Sequence, residues 1–207
     1  MGQRHILHCD CNSVYASVEM QEHPELRGKS IAVCGDPEAR HGIVLTASYP
    51  AKRMGVKTAM PIWEAKQHCR DLIVVPASYG KYQKYSSYVR EIFRDYTDQV
   101  ESFGLDEAWL DITGSLGLFG APVKIAKEIS DRIKRELGIT VSIGVSFNKI
   151  IAKLGSDYKK PDAITVIEPD TYKQIVYPLP VGDLLYVGNA TQRKLGNYGI
   201  RTIGQLA

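Results

Sequence analysis

The sequence predicts an α+β fold: a ferredoxin-like antiparallel sheet with helices on one face, a small inserted module, and a helical segment at the end. Three observations predict it. Apolar stretches with strand and helix periods follow the order strand, helix, hairpin, helix, strand. A group of shorter strands with their own turns interrupts this order after the first helix. From about residue 178 no further strand pattern occurs, and the sequence has the spacing of helices separated by glycines.

The first strand is predicted over residues 4 to 11, and it passes directly into a helix. Ser13 is predicted to cap that helix, because serine side chains accept hydrogen bonds from first-turn amides. Pro24 ends this first unit. The strand carries Asp10 near its end, so an acidic side chain and a helix N-terminus lie within one turn of chain.

Residues 22 to 77 are predicted to form the inserted module. Pro61 stands where a helix begins, since its fixed φ suits the first turn. The predicted elements are strands at 30–34, 42–47 and 72–75, a helix at 62–69, and a polar loop at 35–41.

A helix is predicted over residues 79 to 96, with an apolar face that repeats at helical spacing. Tyrosines recur at every third position on it. Such a stripe suits either packing or the stacking of nucleic-acid bases, and packing is the favoured interpretation. The tyrosines stand at positions 79, 82, 85 and 88.

The second half predicts a hairpin over residues 100 to 113 and then a helix from Pro122 to a stop at Gly138. The alternation of Val141, Ile143 and Val145 predicts a strand. A short helix at 149–155 and a strand at 163–167 complete the sheet.

The final residues predict a helix, a turn centred on Gly199, and the start of a second helix at 202–207. This pattern resembles a helix-hairpin-helix, whose turn amides hold a DNA phosphate without reading sequence. The second helix has barely begun at residue 207. We therefore expect the chain to be a fragment of a longer protein.

Composition is that of a globular protein, with 207 residues, 44% hydrophobic and 24% charged, which argues against disorder and fibres. A net charge of +3 permits an anionic partner. The absence of a long apolar run predicts no membrane span, and the four cysteines without a signal peptide predict a reducing cytoplasm. A zinc site from His5, His8, Cys9 and Cys11 is an alternative to their role as small buried strand residues.

The adjacent acids Asp106 and Glu107 stand out, because apolar residues flank them on both sides. Two carboxylates at the edge of a core repel each other and lose hydration, which a divalent cation compensates. Asp10 offers a third carboxylate from another strand end. The alternative is a chance acidic pair on a solvated turn or in a structural network.

Further motifs are the run from Thr46 to Arg53, the pair Asn148-Lys149, and Lys160-Pro161-Asp162. With Asp10 and the acid pair, they resemble the Y-family translesion DNA polymerases, and are most similar to the DNA polymerase IV branch. The resemblance runs through nearly all of the chain. It implies a palm at 1–21 and 78–168, fingers at 22–77, and a partial thumb at 169–207, with the C-terminal little finger domain absent.

The resemblance also implies the site. Two Mg²⁺ ions, with Mn²⁺ as a substitute, bind Asp10, Asp106, Glu107 and the backbone carbonyl of Cys11. The nucleotide is bound by the amides of Ser13 and Val14, by Tyr15 as a steric gate against the ribose 2′-hydroxyl, and by Thr46, Tyr49, Lys52 and Lys160. DNA contacts fall on Gly188 and Lys194, while Lys149 and Lys153 face solvent or DNA.

Four positions depart from the family pattern. Lys52 replaces the usual arginine and lacks its bidentate fork, so that either a looser phosphate contact or one shared with Arg53 is expected. Gly104 replaces a serine, Asn12 replaces an acid, and Tyr186 replaces a glycine of the hairpin.

The implied function is lesion bypass: a primer 3′-hydroxyl attacks a deoxynucleoside triphosphate on a damaged template. The implied partners are primer–template DNA, the dNTP, and a sliding clamp bound through the absent C-terminal region. A monomer that works in the cytoplasm at the nucleoid, with weak processive synthesis from this piece alone, is expected. The rivals are a palm-fold nucleotidyl cyclase and a catalytically silent DNA-binding scaffold.

Overall fold

The computed structural model describes residues 3–35 and 42–207, so positions 36–41 of the predicted polar loop lie outside the described residues. The strands are β1 (Ile6–Cys11), β2 (Ile31–Cys34), β3 (Val44–Ala47), β4 (Ile73–Pro76), β5 (Val100–Phe103), β6 (Glu107–Asp111), β7 (Val141–Ser146) and β8 (Ile164–Val166). The helices are α1 (Val14–Glu22), α2 (Tyr49–Arg53), α3 (Ile62–His68), α4 (Tyr79–Arg94), α5 (Leu116–Phe119), α6 (Pro122–Leu137), α7 (Lys149–Tyr158), α8 (Tyr172–Val176), α9 (Asn189–Asn197) and α10 (Ile203–Leu206).

The main sheet has five strands in the order β5-β6-β1-β7-β8, with β1 at its centre. The strand β1 is antiparallel to both neighbours, β6 and β7. The last strand, β8, pairs with β7 in parallel. The α+β class is confirmed, but the sheet is not antiparallel throughout, because α7 carries the chain back across the sheet before β8 begins.

Helices cover both faces of the main sheet. Leu7, Cys9 and Cys11 of β1 point into a core with α4 and α6, where Ile129 is fully buried. The alternate residues of β1 point the other way, and there His8 contacts α7. The prediction of helices on one face is therefore wrong for α7.

The close approach of α7 to the sheet depends on two glycines. A Cβ atom on Gly144 of β7 would lie 1.8 Å from the Ala152 carbonyl oxygen, and a Cβ on Gly155 would lie 3.1 Å from the Gly144 Cα. A missing side chain leaves no periodic signal in the sequence, which is why the position of α7 was not predicted.

The helices α4 and α6 form as their apolar spacing predicts. Helix α6 buries Ile125, Ile129 and Ile133 completely, and each such side chain contributes about 1.5–3 kcal/mol through its removal from water. Its C-cap is Gly138 in the left-handed conformation, with φ of 68°.

A second sheet of three strands, β3-β2-β4, lies in residues 31–76. Strand β3 begins at Val44, two residues later than predicted, because Ile43 makes an isolated bridge to Pro61 instead. The short helix α2 was not predicted. Its Pro50 falls in the first turn, where the missing amide hydrogen is not needed.

The C-terminal helices pack on the main unit through α10. Ile203 is buried in a cluster with Ile151, Leu154, Ile167 and Val176. Gly199, with φ of 77°, makes the turn between α9 and α10 as predicted, and Thr202 with Gln205 forms a capping box for α10. Within the described part of the chain, no helix has both the length and the apolar character needed to cross a bilayer.

Candidate active site

A cleft of about 310 Å³ brings the predicted metal and nucleotide residues together. It opens where β1 ends and α1 begins, and both sheets contribute to its walls. Its lining includes Asp10, Cys11, Ser13, Val14, Tyr15, Thr46, Tyr49, Lys52, Asp106, Glu107 and Lys160, together with Asn12, Leu45 and Thr58, of which Leu45 and Thr58 were not anticipated.

Strand register places the three carboxylates at one end of the cleft. Asp10 is the cross-strand partner of Glu107, and the Cys11 amide donates to the Asp106 carbonyl oxygen at 2.9 Å. The hairpin turn that carries Asp106 uses Gly104 with φ of 70°. This left-handed conformation favours glycine, which accounts for its departure from serine.

The environment raises the pKa of Asp106 to about 6. Burial is the largest cause, followed by the neighbouring charges of Asp10 and Glu107. In the absence of a compensating positive charge, Asp106 therefore keeps its proton up to about pH 6, well above the range of an ordinary aspartate.

Burial alone would raise the pKa of Glu107, but contacts with His8 and Lys153 outweigh it and lower the pKa to about 2. The Lys153 ammonium lies 2.7 Å from Glu107 Oε2 and 3.0 Å from Asp10 Oδ2. The two adjacent acids therefore differ in protonation behaviour because one has cationic contacts and the other has acidic neighbours.

Lys153 corrects a prediction, since it was expected to face solvent or DNA. Its side chain is 12% exposed and also pairs with Asp157 at 3.1 Å. Lys160 lies 2.5 Å from Asp10 Oδ2 and 2.7 Å from Asp157 Oδ1. The helical spacing of Lys153 and Asp157, four residues apart on α7, was the signal that could have shown a shared face.

Lys149, by contrast, lies at the surface. It pairs with Glu101 at 2.6 Å, and its ammonium lies 4.6 Å from the ring centroid of Trp109. Surface pairs of this kind contribute little to stability.

The donor atoms fit a hard divalent cation, because Asp and Glu oxygens are its preferred protein ligands. Glu107 Oε2 is buried and makes no aligned hydrogen bond within the described chain. Among the described residues, however, no three His, Cys, Asp or Glu side chains are already arranged around one point. The ammonium groups of Lys153 and Lys160 stand against Asp10 instead.

The alternative zinc site does not fit this geometry. Cys9 and Cys11 are buried in the core on the face opposite His8. Burial raises the pKa of both thiols, which disfavours the thiolate that zinc requires. The two cysteines act as small core residues.

Ser13 does not cap α1 as predicted. It adopts a left-handed conformation with φ of 46°, and within the described residues its side chain makes no capping bond. Its hydroxyl instead accepts a hydrogen bond from Lys52 Nζ at 2.7 Å. Lys52 also lies 4.9 Å from the Tyr49 ring centroid, while Arg53 is exposed and outside the set of cleft residues.

Tyr15 is held by a second tyrosine from α4. Its ring stacks on Tyr82 at 4.2 Å between centroids, with 10° between the planes. Tyr82 is fully buried and donates to Glu19 Oε1 at 2.6 Å. Packing is thus confirmed for Tyr82, whereas Tyr79 and Tyr88 of the same stripe are exposed.

Asn12 has a structural role that explains its presence. It donates to Ser142 Oγ at 2.9 Å, and its Oδ1 accepts from Thr140 Oγ1 at 3.0 Å and from the Asp162 amide at 2.8 Å. The amide side chain therefore joins the end of β1 to β7 and to the loop that carries Lys160.

The two predicted DNA contacts lie outside the cleft. Gly188 precedes α9 as its N-cap, and Lys194 is exposed in the last turn of that helix. Nearby, Tyr186 has φ of 68° and is 82% exposed. A positive φ agrees with the glycine usual at this position.

The sequence is similar to a known protein family and to curated DNA polymerases. The impB/mucB/samB family matches residues 9–157. DNA polymerase IV of Acetivibrio thermocellus is 58% identical over 205 residues, which is 99% of this chain and 51% of that protein. DNA polymerase IV 1 of Bacillus subtilis is 47% identical over 204 residues, covering 99% and 49%. The chain thus spans about half the length of these curated relatives.

Solved structures agree with the sequence relatives. The insertion ternary complex of Dbh DNA polymerase superposes with a TM-score of 0.89 at 31% identity, covering 96% of this chain and 58% of that one. DinB from Sulfolobus solfataricus gives a TM-score of 0.87 at 31% identity, with the same two coverages.

Proposed function

Because the chain belongs to the impB/mucB/samB family, the Y-family DNA polymerases, we propose that it forms the catalytic part of a translesion DNA polymerase. The reaction joins the primer 3′-hydroxyl oxygen to the α-phosphorus of a dNTP, breaks the bond to the β-phosphate oxygen, and releases pyrophosphate. One observation carries the proposal: three carboxylates from two strands share a cleft with the residues suited to a triphosphate.

We assign two Mg²⁺ ions, with Mn²⁺ as a substitute, to Asp10, Asp106, Glu107 and the Cys11 carbonyl. Such ions, when bound, lower the pKa of the attacking hydroxyl and offset charge on the leaving oxygen. The chain's own part is to bring three carboxylates to the same end of the cleft. It does so through the pairing of β1 with β6, which fixes Asp10 opposite Glu107.

The triphosphate is assigned to the opposite side of the cleft. The first amides of α1, at Ser13, Val14 and Tyr15, are free of intrahelical acceptors and suit phosphate oxygens. Lys52 and Lys160 line the same cleft and supply positive charge. Thr46 and Tyr49 add hydroxyl donors from β3 and α2.

Tyr15 is the proposed gate against ribonucleotides. Its ring cannot turn freely, because Tyr82 stacks on one face and Tyr79 packs edge-on against it, with 6.0 Å between the ring centroids. A fixed aromatic ring under the sugar excludes a 2′-hydroxyl by volume.

The remaining assignments concern the larger assembly. The palm at 1–21 and 78–168, the fingers at 22–77 and the partial thumb at 169–207 are proposed on the same family basis. Gly188 and Lys194 are assigned to the DNA backbone. Primer–template DNA, the dNTP and a sliding clamp are the proposed partners of the complete polymerase, with a monomer acting at the nucleoid in the cytoplasm.

Single-nucleotide primer extension tests this function. With Mg²⁺ and one dNTP, we expect addition of the nucleotide that complements the template, and loss of addition in EDTA. Asp106→Asn removes one carboxylate at unchanged volume and should lower the rate about 10³-fold, the scale of losing one electrostatic element of an active site.

Glu101→Gln is the matched control, since Glu101 is an exposed acid on the neighbouring strand that pairs with Lys149. It should retain the wild-type rate. Cyclic nucleotide formed without DNA would indicate a nucleotidyl cyclase instead. DNA binding with no addition, unaltered by Asp106→Asn, would indicate a silent scaffold.

A further inference from the structure

The buried histidine of β1 connects α7 with the acid pair. His8 is fully buried. Its Nδ1 lies 2.8 Å from the hydroxyl of Ser156 on α7, and its Nε2 lies 3.1 Å from Glu107 Oε2 on β6. The side chains of Ser156, His8 and Glu107 thus form a continuous row that leads from α7 through the sheet to the cleft.

The imidazole ring has little freedom to move. Trp109 packs against it edge-on at 4.8 Å between centroids, and the Trp109 indole donates to the Lys149 carbonyl at 2.9 Å. On the other side β7 presents Gly144 opposite His8, where α7 leaves no space for a larger residue. The ring is therefore held by its neighbours on β6 and α7.

Neither His8 Nε2 nor Glu107 Oε2 makes an aligned hydrogen bond among the described residues, so their 3.1 Å separation is a close contact of two buried polar atoms. Because an ionised Glu107 can only accept, this contact is favourable when His8 presents an N–H at Nε2. In the neutral ring Nδ1 is then an acceptor, and Ser156 must donate to it. The Ser156 hydroxyl also lies 2.8 Å from the Lys153 carbonyl. If it donated there instead, His8 would turn a bare nitrogen toward a carboxylate.

We propose that His8, held by Ser156, is a positioning residue that fixes the orientation of the Glu107 carboxylate for divalent-cation binding. His8 touches neither substrate nor cation and acts through Glu107. The inference rests on the proposed function, in that Glu107 is taken as a cation ligand. Outer-shell partners of this kind commonly change metal affinity about 10–100-fold when they are removed.

Lys153 contacts the same carboxylate oxygen but does not replace His8 in this role. Its ammonium sits on a flexible stem and divides its contacts among Asp10, Glu107 and Asp157. A point charge attracts a carboxylate without setting its rotation. The imidazole of His8 is fixed by Ser156 and Trp109, so it sets the orientation of the Glu107 carboxylate.

The proton arrangement is measurable in the wild-type chain. Long-range ¹H–¹⁵N correlation spectra of the ¹⁵N-labelled protein in EDTA report which ring nitrogen of His8 carries hydrogen. We expect a protonated Nε2. A bare Nε2 would overturn the inference. The measurement needs no variant, so a variant that fails to fold does not remove it.

Cation binding gives a second measurement, by calorimetric titration with Mn²⁺. His8→Leu should weaken binding about 10–100-fold, while His8→Gln, which keeps an amide N–H toward Glu107, should stay within about 3-fold of the wild type. Ser156→Ala should weaken binding by an intermediate factor. Equal affinity in His8→Leu and wild type would overturn the inference.

Ser146→Ala is the matched control, because Ser146 is a buried serine that donates to the Ile167 carbonyl at 2.7 Å, away from Glu107. It should leave Mn²⁺ affinity unchanged, and a loss equal to that of Ser156→Ala would contradict the proposal. If the wild-type chain bound no Mn²⁺, the proposed function would fail together with the inference. Binding that is indifferent to His8 would contradict the inference alone.

Discussion

The two walls of the cleft are built in different ways. The acidic wall comes from the main sheet, where β-pairing sets Asp10 opposite Glu107, and Lys153 makes three ion pairs beneath them. The opposite wall comes from β3 and α2, and the ammonium of Lys52 reaches across to the Ser13 hydroxyl at 2.7 Å. The acidic wall is fixed by many mutual contacts. The opposite wall relies on a few side chains, of which Thr46 and Tyr49 are half-buried and Lys52 is exposed.

This difference separates two kinds of function. Chemistry needs groups held in place before the substrate arrives, because reorganisation during reaction raises the barrier. Binding of a triphosphate tolerates side chains that adjust, since phosphate oxygens accept from many directions. We therefore expect substitutions on the acidic wall to change rate and stability, and substitutions on the opposite wall to change nucleotide affinity.

The largest effect is expected where the acidic wall depends on backbone contact. Gly144→Ala places a Cβ atom 1.8 Å from the Ala152 carbonyl oxygen, so α7 must move and draw Lys153 away from the acids. Overpacking of this kind lowers the free energy of unfolding by about 3 kcal/mol. Urea denaturation measures it.

Gly80→Ala in α4 is the control, because a Cβ there would meet no described atom within 4 Å. It should leave stability unchanged or raise it slightly. A Gly144→Ala chain as stable as wild type would show that α7 is not held as tightly as the packing indicates, and the contrast between the walls would weaken.

The next effect concerns Tyr15, which lies between the walls. Tyr15→Ala should raise incorporation of ribonucleotides relative to deoxynucleotides about 10²-fold, because the proposed gate loses the ring volume that would exclude a 2′-hydroxyl. Tyr15→Phe keeps the ring on Tyr82 and should keep the discrimination. Competition assays with the two sugars measure the ratio, and an unchanged ratio in Tyr15→Ala would refute the assignment.

The acid pair makes a prediction that depends on pH. The pKa of Asp106 is raised to about 6 from 3.8, so the folded state holds its proton more tightly than the unfolded state does. The stability this provides at low pH is lost as pH rises from about 4 to 6. Asp106→Asn, which cannot ionise, should therefore stabilise the metal-free chain by about 3 kcal/mol at pH 8 and little at pH 4.

Thermal unfolding in EDTA at several pH values measures this difference. Glu107 acts in the opposite sense, because its pKa is lowered from 4.5 to about 2 and its contribution to stability is lost as pH falls through that range. If Asp106→Asn destabilised the chain equally at both pH values, burial and the neighbouring acids would not raise the pKa of Asp106.

The acidic wall was also the part most readily predicted from sequence. The apolar flanks of Asp106 and the alternation through Asp10 indicate strand ends, and strand ends at one edge bring their side chains together. The prediction that Lys153 faces solvent or DNA was wrong because the position of this side chain depends on Gly144 and Gly155. Glycines in these positions leave no periodic pattern in the sequence. The left-handed Ser13 and the parallel β8 likewise follow from tertiary contacts rather than local pattern.

The opposite wall was predicted through resemblance rather than physics. Nothing in the run from Thr46 to Arg53 by itself indicates a phosphate site, and the helix α2 within it was missed. Tyr82 was correctly assigned to packing, but its role beneath Tyr15 joins residues 67 positions apart, a distance that no sequence period spans.

The smallest effect is expected on this second wall and gives the sharpest test of the contrast. Lys52→Ala should raise KM for the dNTP about 10-fold, the scale of one charge-assisted hydrogen bond of about 1.4 kcal/mol, and should leave kcat nearly unchanged. Arg53→Ala, one residue on but outside the cleft, should alter neither constant. Lys52→Arg should lower KM, because a guanidinium binds phosphate through two donors. A fall in kcat without a change in KM for Lys52→Ala would mean that this wall also takes part in the chemistry.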